Sequence, residues 1–431
     1  MNIRTELNRT RPDYVVYVPK GKEDTGNEHF LVFDGPDGSL MVVWTQSTFE
    51  GMPDQRIKFS RSDDRGKTWT SPVTIACKDE THGMASWGFP LVSRSGRIYV
   101  IYSRHIGVND YATHVTGLMA GIYSDDNGEN WSAEGVITMP GSKWDNAAPG
   151  IPANWIVWQK PARISDGKYF CGMTRWVSPT IRGKPPIESW ISHASVVEFL
   201  RFENLDDDPE VVDLEIRFTA GNDDALQYPY PDFPDVSVIQ EPTLIALPDE
   251  RLFCIMRTSA GCPVYSVSED GGIRWSGPLP MRFQDDGETL KHPLSPSPLY
   301  DAGMGDFLFF YHDNDGHFEQ WKPTDSSWNR RPVFLLRGQF RPDAKQPVWF
   351  SRKALFMDND GVAIGHGKGR SDLAMYASVT LEGEDPVIWY PDRKYFLLGK
   401  RIPRETITAM NVPASRLRPE KLPGKSTRNP S

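Results

Sequence analysis

One eight-residue pattern, Ser-x-Asp-x-Gly-x-x-Trp, occurs three times and limits the folds open to this chain. The copies are Ser62, Asp64, Gly66 and Trp69; Ser124, Asp126, Gly128 and Trp131; and Ser268, Asp270, Gly272 and Trp275. Each follows a strand-like run: QRIKFSR, MAGIY and CPVYSV. The chemistry suits a β-hairpin corner. An Asp caps its own turn through backbone N–H groups, Gly takes a backbone angle that other residues avoid, and Trp staples the turn to the sheet. Three copies with identical spacing mark a repeat architecture.

A second repeat spans the whole chain. It is an apolar strand, an Asp/Gly-type turn and another apolar strand. Six copies begin at His29, Phe89, Lys160, Glu241, Ser297 and Ser351, spaced 54 to 81 residues apart. The last reads SRKALFMDNDGVAIGH. Such intervals suit four-stranded blades, and the Ser-x-Asp turns fall after the third strand of blades one, two and four. The expectation is an all-β, six-bladed β-propeller over residues 1–415. A seven-bladed ring would need a further hairpin in the long gap 175–241. Residues 13–18, DYVVYV, read as a strand that pairs with the last blade and closes the ring. The tail 416–431, rich in Pro, Lys, Arg and Ser, is expected to be disordered.

Composition narrows the function classes. Aromatics make up 12% of the chain, with 14 Trp, which is enough for a packed core. The net charge of −9 and the absence of a basic run before the tail argue against nucleic acid. An anionic ligand would need a local basic pocket, because the global field opposes it. No apolar run is long enough to span a membrane, and the N-terminus has no signal-peptide core. The expectation is a soluble protein, cytoplasmic as written or exported with its signal absent from this sequence. Cys171 and Cys254 sit in strand-like runs and read as buried thiols; a Cys254–Cys262 bridge across a hairpin is the alternative. No zinc spacing is present.

In a propeller, the start of each first strand and the end of each second strand meet at one face. The strand starts offer His29, Lys160 and Glu241, with Glu28, Trp87, Gln159 and His292 beside them. The strand ends offer Arg104, Arg175, Arg257, His312 and His366. Three converging Arg side chains suit a carboxylate or sulfate, since the guanidinium fork binds such groups bidentately. Trp44, Trp87, Trp158 and Trp176 either stack on sugar rings or fill the core. Residues 311–316, YHDNDG, carry oxygen atoms suited to a calcium ion but lack the rest of a loop site, so no metal or cofactor is expected.

The Ser-x-Asp turn matches the Asp-box, or BNR repeat, and the chain resembles the sialidase-like superfamily. The resemblance implies that each box joins the third and fourth strands of a blade and is structural. In that family a Glu opening blade four assists a Tyr nucleophile, and an Arg closing the second strand joins a triad that grips the sialic acid carboxylate. Glu241 in QEPTL and Arg257 in FCIMR match. Elsewhere the chain departs. Asn27-Glu28-His29-Phe30 stands where the family has Arg-Ile-Pro. Trp349-Phe350-Ser351-Arg352 stands where the Tyr nucleophile should open blade six. Met84-Ala85-Ser86-Trp87 offers no counterpart of the acid/base Asp.

Three functions follow. The first is cleavage of an acidic, uronate-containing glycan, by elimination or unusual hydrolysis. Here Arg104, Arg175 and Arg257 neutralise the carboxylate. His29, His312 or Lys160 serves as base, Glu241 is the carboxylate of the site, and Trp87, Gln159, His292 and His366 bind substrate. Related propellers that act on rhamnosyl-glucuronate and ulvan linkages use a central His, which favours His29. The second is a sialidase-like exo-glycosidase built around Glu241. The third is a propeller that binds glycans without catalysis.

Overall fold

The computed structural model describes residues 2–79 and 83–414. Six antiparallel sheets are arranged as a six-bladed β-propeller. Blade one is Gly26–Asp34, Leu40–Ser47, Arg56–Ser62 and Val73–Ala76; blade two is Ala85–Val92, Ile98–Arg104, Leu118–Ser124 and Gly135–Ile137. In blade three the first strand is broken into Trp155–Ile156 and Ala162–Arg163, followed by Tyr169–Trp176, Ser195–Phe202 and Ile216–Thr219. The gap 175–241 therefore completes blade three rather than holding a seventh blade. Blade four is Ile239–Ala246, Leu252–Thr258, Val264–Ser268 and Leu279–Pro280.

Blade six differs from the expectation. It consists of Ser378–Glu382, Asp385–Asp392 and Phe396–Arg401, and Tyr14–Tyr17 adds its outer strand. The N-terminal strand thus closes the ring, with Tyr14 opposite Gly399. The run at Ser351, read as the sixth hairpin, instead gives Ala354–Met357, which pairs with Val333–Phe340 inside blade five. Blade five also holds Leu299–Asp301, Asp306–Tyr311 and Val348–Phe350. The physical reason is local mimicry. The Asn-Asp-Gly turn after Met357 looks like a hairpin turn, but only an isolated bridge at Ile364 follows it.

The Asp-boxes are structural, and they also join blades. In the first, Gly66 N–H donates to Ser62 Oγ (2.8 Å), and Thr68 N–H donates to Asp64 Oδ1 (2.8 Å). The same bonds recur around Asp126 and Asp270. Gly66 has φ +93°, and a Cβ there would overlap the ring of Trp389 in the preceding blade. Gly128 meets Phe59, and Gly272 meets Phe170, in the same way. The box Trp residues pack on those aromatics too: Trp69 on Trp389 (5.8 Å) and Trp131 on Phe59 (5.3 Å). Glycine is therefore required twice at each corner, for backbone angle and for contact between blades.

All four cysteines are free thiols, so Cys254 and Cys262 are not bridged. The tail 416–431 lies outside the described residues. Among the described residues, no helix is long and apolar enough to cross a membrane.

Candidate active site

The first strands of blades one, two and four carry a β-bulge near their starts. Pairing slips between Glu28 and Leu31, between Ser86 and Phe89, and between Gln240 and Thr243. One residue in each bulge has positive φ: His29 (+52°), Trp87 (+58°) and Glu241 (+50°). Bulges re-aim side chains, and here His29 meets Trp87 (5.1 Å), while Trp87 and Glu241 both meet Tyr376 (5.8 and 2.8 Å). Blades are tied there by a repeated bond. Thr45 Oγ1 accepts from Trp87 N–H (3.0 Å), and Thr174 Oγ1 accepts from Glu241 N–H (2.6 Å).

Glu241 has a partner that the sequence reading missed. Tyr376, just ahead of Ser378–Glu382, donates its hydroxyl to Glu241 Oε1 at 2.8 Å. Arg257 Nη1 lies 2.6 Å from Glu241 Oε2 and 3.1 Å from the Tyr376 hydroxyl. Gln240 Oε1 holds the rest of that guanidinium (2.6 and 3.1 Å). Arg330, from the blade-five loop, faces the same group. Its Nη2 donates to Leu294 O (2.6 Å), its Nη1 lies 4.0 Å from Asp372, and its Nε is buried without a partner. The aromatic ring of Trp190 covers both guanidiniums, 5.2 Å from Arg257 and 5.4 Å from Arg330. Tyr376, Glu241, Arg257 and Arg330 are each at most 3% exposed.

The electrostatics follow from that burial. Burial pushes Glu241 above its ordinary value, while Arg257 and the Tyr376 hydroxyl pull it back. Tyr376 is raised to about 12, first by burial and then by the Glu241 charge, with Arg257, Lys394 and Arg330 opposing. Lys394, in the turn between the second and third strands of blade six, lies 4.8 Å over the Tyr376 ring. It also binds Glu28 (2.9 Å) and Glu50 (2.6 Å). Trp87 (5.8 Å) and Trp158 (6.0 Å) meet the Tyr376 ring edge-on.

Several expected residues stand elsewhere. Arg104 is bound by Glu134 and by the Cys77 and Gly83 carbonyls. Arg175 is bound by Glu198 (2.9 Å) and Asp145 (2.7 Å). They sit one register step beyond Arg257. Arg257 pairs across from Gln240 before the bulge; the matching positions are Ser103, opposite Ser86, and Thr174, which makes the Thr45-type bond. A one-residue step turns a side chain to the other face of a strand. Lys160 reaches blade one, its Nζ 3.5 Å from Val32 O. Gln159 accepts from Leu244 N–H and ties blade three to blade four.

His292 and His312 stack at 5.1 Å beneath the site, bonded to Ser295, Pro296 and Pro332. His366 does not end a second strand. It lies in the connection to blade six, 5.9 Å from Phe49. His29 is fully buried, 5.1 Å from Trp87, and burial pushes it down to about 3. Trp44 donates to Asn27 in the core of blade one. The oxygens of the YHDNDG stretch are used locally: Asn314 accepts from Gly316 N–H, Asp315 from His317, and Asp313 pairs with Lys353.

Tyr376 was legible in principle, because MYASVTLEGEDPVIWY is itself a strand–turn–strand run. Arg330 and Lys394 follow no local pattern.

Six blades, three of which carry an Asp-box, and a buried Tyr–Glu–Arg cluster define a sialidase-like β-propeller. The BNR repeat-like domain family matches residues 38–291, more than half of the chain, and the chain belongs to that family. Solved structures share the fold at low identity. A protein of unknown function from Dyadobacter fermentans is 13% identical, with a TM-score of 0.59 and coverage of 91% of this chain and 97% of that one. A mutant of NanB sialidase from Streptococcus pneumoniae is 10% identical, with a TM-score of 0.60 and coverage of 92% and 71%. The intramolecular trans-sialidase from Ruminococcus gnavus, in complex with oseltamivir carboxylate, is 12% identical, with a TM-score of 0.57 and coverage of 91% and 98%. A search of curated proteins returned no match.

Proposed function

We propose that this chain is an exo-acting glycoside hydrolase for a sugar that carries a carboxylate, with Tyr376 as nucleophile and Glu241 as its base. The observation that carries the reading is the 2.8 Å bond from the Tyr376 hydroxyl to Glu241, with Arg257 touching both groups. A phenol with a pKa near 12 attacks only if its proton leaves in the same step, and Glu241 is placed to take it. The choice of phenol also speaks to the substrate. A carboxylate nucleophile would be repelled by a carboxylate on the anomeric carbon, by about 4 kcal/mol at 4 Å in a protein-like dielectric. A neutral phenol avoids this repulsion. Arg257 and Arg330, side by side under Trp190, supply the charge that an anionic sugar requires.

Elimination on a uronate by His29 draws less support. At about 3, His29 is neutral at working pH, as a base must be. It is then also too weak a base to remove a carbon-bound proton efficiently. The test is hydrolysis of methylumbelliferyl N-acetylneuraminide and methylumbelliferyl glucuronide by the full chain. A fluorinated neuraminyl fluoride would serve as a covalent trap. The expected result is fluorophore release from an acidic glycoside and an adduct on the peptide containing Tyr376. An unsaturated uronate product, seen by its ultraviolet absorbance and formed without an adduct, would overturn the reading in favour of elimination by His29.

A further inference from the structure

Tyr376 acts twice in the proposed reaction. Its oxygen takes the sugar, and then gives it up to water together with the electron pair of the bond. We propose that Lys394 is a positioning residue for the second event, holding a positive charge over the Tyr376 ring so that the phenol can leave. This rests on the reading of Tyr376 as nucleophile.

The turn that carries Lys394 is built against local preference. Tyr395 N–H donates to Asp392 O (3.0 Å), which closes a turn between the second and third strands of blade six. Its two central residues, Arg393 and Lys394, both have positive φ (+57° and +47°). Such a turn favours Asn-Gly, because other side chains crowd their own backbone there. Here it holds two long cations, and both are buried. Backbone strain at a buried charge is a reason to look for a function. For Arg393 the contacts are structural. Its guanidinium binds Asp392 (2.8 Å) and Glu6 (3.1 Å) and so ties down the N-terminal helix Ile3–Leu7. Lys394 has other neighbours. Its ammonium is held by Glu28 (2.9 Å) and Glu50 (2.6 Å) and lies 4.8 Å over the Tyr376 ring.

One strand fixes both ends of that contact. In Gly26–Asp34, Asn27 N–H donates to Lys394 O (2.8 Å), and Phe30 N–H donates to Tyr376 O (3.2 Å). Glu28, between them, binds the ammonium itself. The first strand of blade one therefore sets where the cation stands relative to the phenol.

The chemistry follows from the charge. In the second step the oxygen of water bonds to the anomeric carbon, the bond to Tyr376 Oη breaks, and its electron pair returns to the phenol. Glu241 gives back the proton it took, and the proton of the water passes to solvent. Negative charge on a phenol oxygen spreads into the ring, and a desolvated ammonium over the ring face attracts it. The nearby guanidiniums have other partners: Arg257 pairs with Glu241, and Arg330 is left for the sugar's carboxylate. Burial and the Glu241 charge raise the phenol, and Lys394 opposes them together with Arg257 and Arg330.

The experiment follows methylumbelliferyl N-acetylneuraminide and methylumbelliferyl glucuronide by rapid mixing with wild type, Lys394→Met, Lys394→Arg, Arg393→Met and Tyr376→Phe. The first phase of fluorophore release reports formation of the tyrosyl glycoside, and the steady rate includes its hydrolysis. Lys394→Met is expected to lose at least about 30-fold in kcat, the scale of a desolvated cation–π contact. KM should fall with it, while the first phase changes by less than about threefold. Intact mass should show one sugar accumulating on the peptide that contains Tyr376. Lys394→Arg keeps the charge and should accumulate no adduct. Arg393→Met should lower the melting temperature and leave both phases at wild-type rates. If Lys394→Met does not fold, Lys394→Met combined with Glu50→Gln removes a stranded carboxylate and is read in the same way. Equal losses in both phases without an adduct, or a kcat change under about threefold, would make Lys394 a structural counter-ion of Glu28 and Glu50 and leave Tyr376 standing. An active Tyr376→Phe, or a wild type that turns over neither glycoside, would overturn both readings.

Discussion

Arg175 and Arg257 end the second strands of neighbouring blades, and both are almost wholly buried. Arg175 is taken up by two carboxylates of its own neighbourhood, Glu198 and Asp145, with which it forms a structural ion network. Arg257 meets a carboxylate that in turn holds a phenol, and it lies under a loop tryptophan beside a second guanidinium. The difference comes from one step of register. Position 174 in blade three is the counterpart of position 257, and Thr174 occupies it. A residue type and its approximate place therefore do not make a binding group. The face of the strand decides, and in this propeller the bulges set that face.

Substitutions can break or sharpen this comparison. The largest effect is expected from Tyr376→Phe, which removes the oxygen proposed as nucleophile and its hydrogen bonds with Glu241 and Arg257. Hydrolysis should fall by about 10³-fold or more, while stability should drop by only about 1 kcal/mol. Measured kcat and urea midpoints would show this, and substantial residual turnover would return Arg257 to the same structural class as Arg175.

Arg257→Lys keeps the charge and loses the fork. A loss of about 10²-fold in kcat/KM is expected, with the fold intact by circular dichroism. A change under threefold would mean that the guanidinium only supports the fold. Arg175→Met should do the reverse. It strands Glu198 and Asp145, for a loss of about 3–5 kcal/mol in unfolding free energy, and the folded fraction should keep the wild-type KM. If KM rose and stability held, the two arginines would have exchanged roles. The smallest effect is expected at the Asp-box corner. Trp69→Ala removes a half-buried staple onto Trp389 and should destabilise by about 2–3 kcal/mol, leaving kcat/KM unchanged in the folded protein.

Much of the architecture was legible because it is written locally. The Asp-box needs its Ser, Asp, Gly and Trp within one turn, and five of the six hairpins announced themselves by apolar strands around a turn. The sixth was misplaced because Asn359-Asp360-Gly361 imitates a hairpin turn, although residues 354–357 belong to blade five. That slip hid Tyr376 and moved His366 onto a strand end where it does not lie. In the cluster around Tyr376, Glu241 and Arg257 were legible through their motifs, and Trp87 through its place at a strand start. Lys160, Gln159, His292 and His312 satisfy the same positional rule, and their hydrogen bonds go to Val32, Leu244, Ser295, Pro296 and Pro332 rather than to Tyr376.

The sequence by itself determined the repeat, the turn chemistry, the closing strand and the Glu–Arg pair in blade four, because each is fixed by residues within one blade or by a simple period. Only the tertiary structure decided which charges act together. Tyr376 meets Glu241 from 135 positions away, and Lys394 meets Glu28 from 366 away. A closed ring brings such residues to one point, and burial there makes each ionic partner count. Chain order records neither the convergence nor the face on which an arginine emerges.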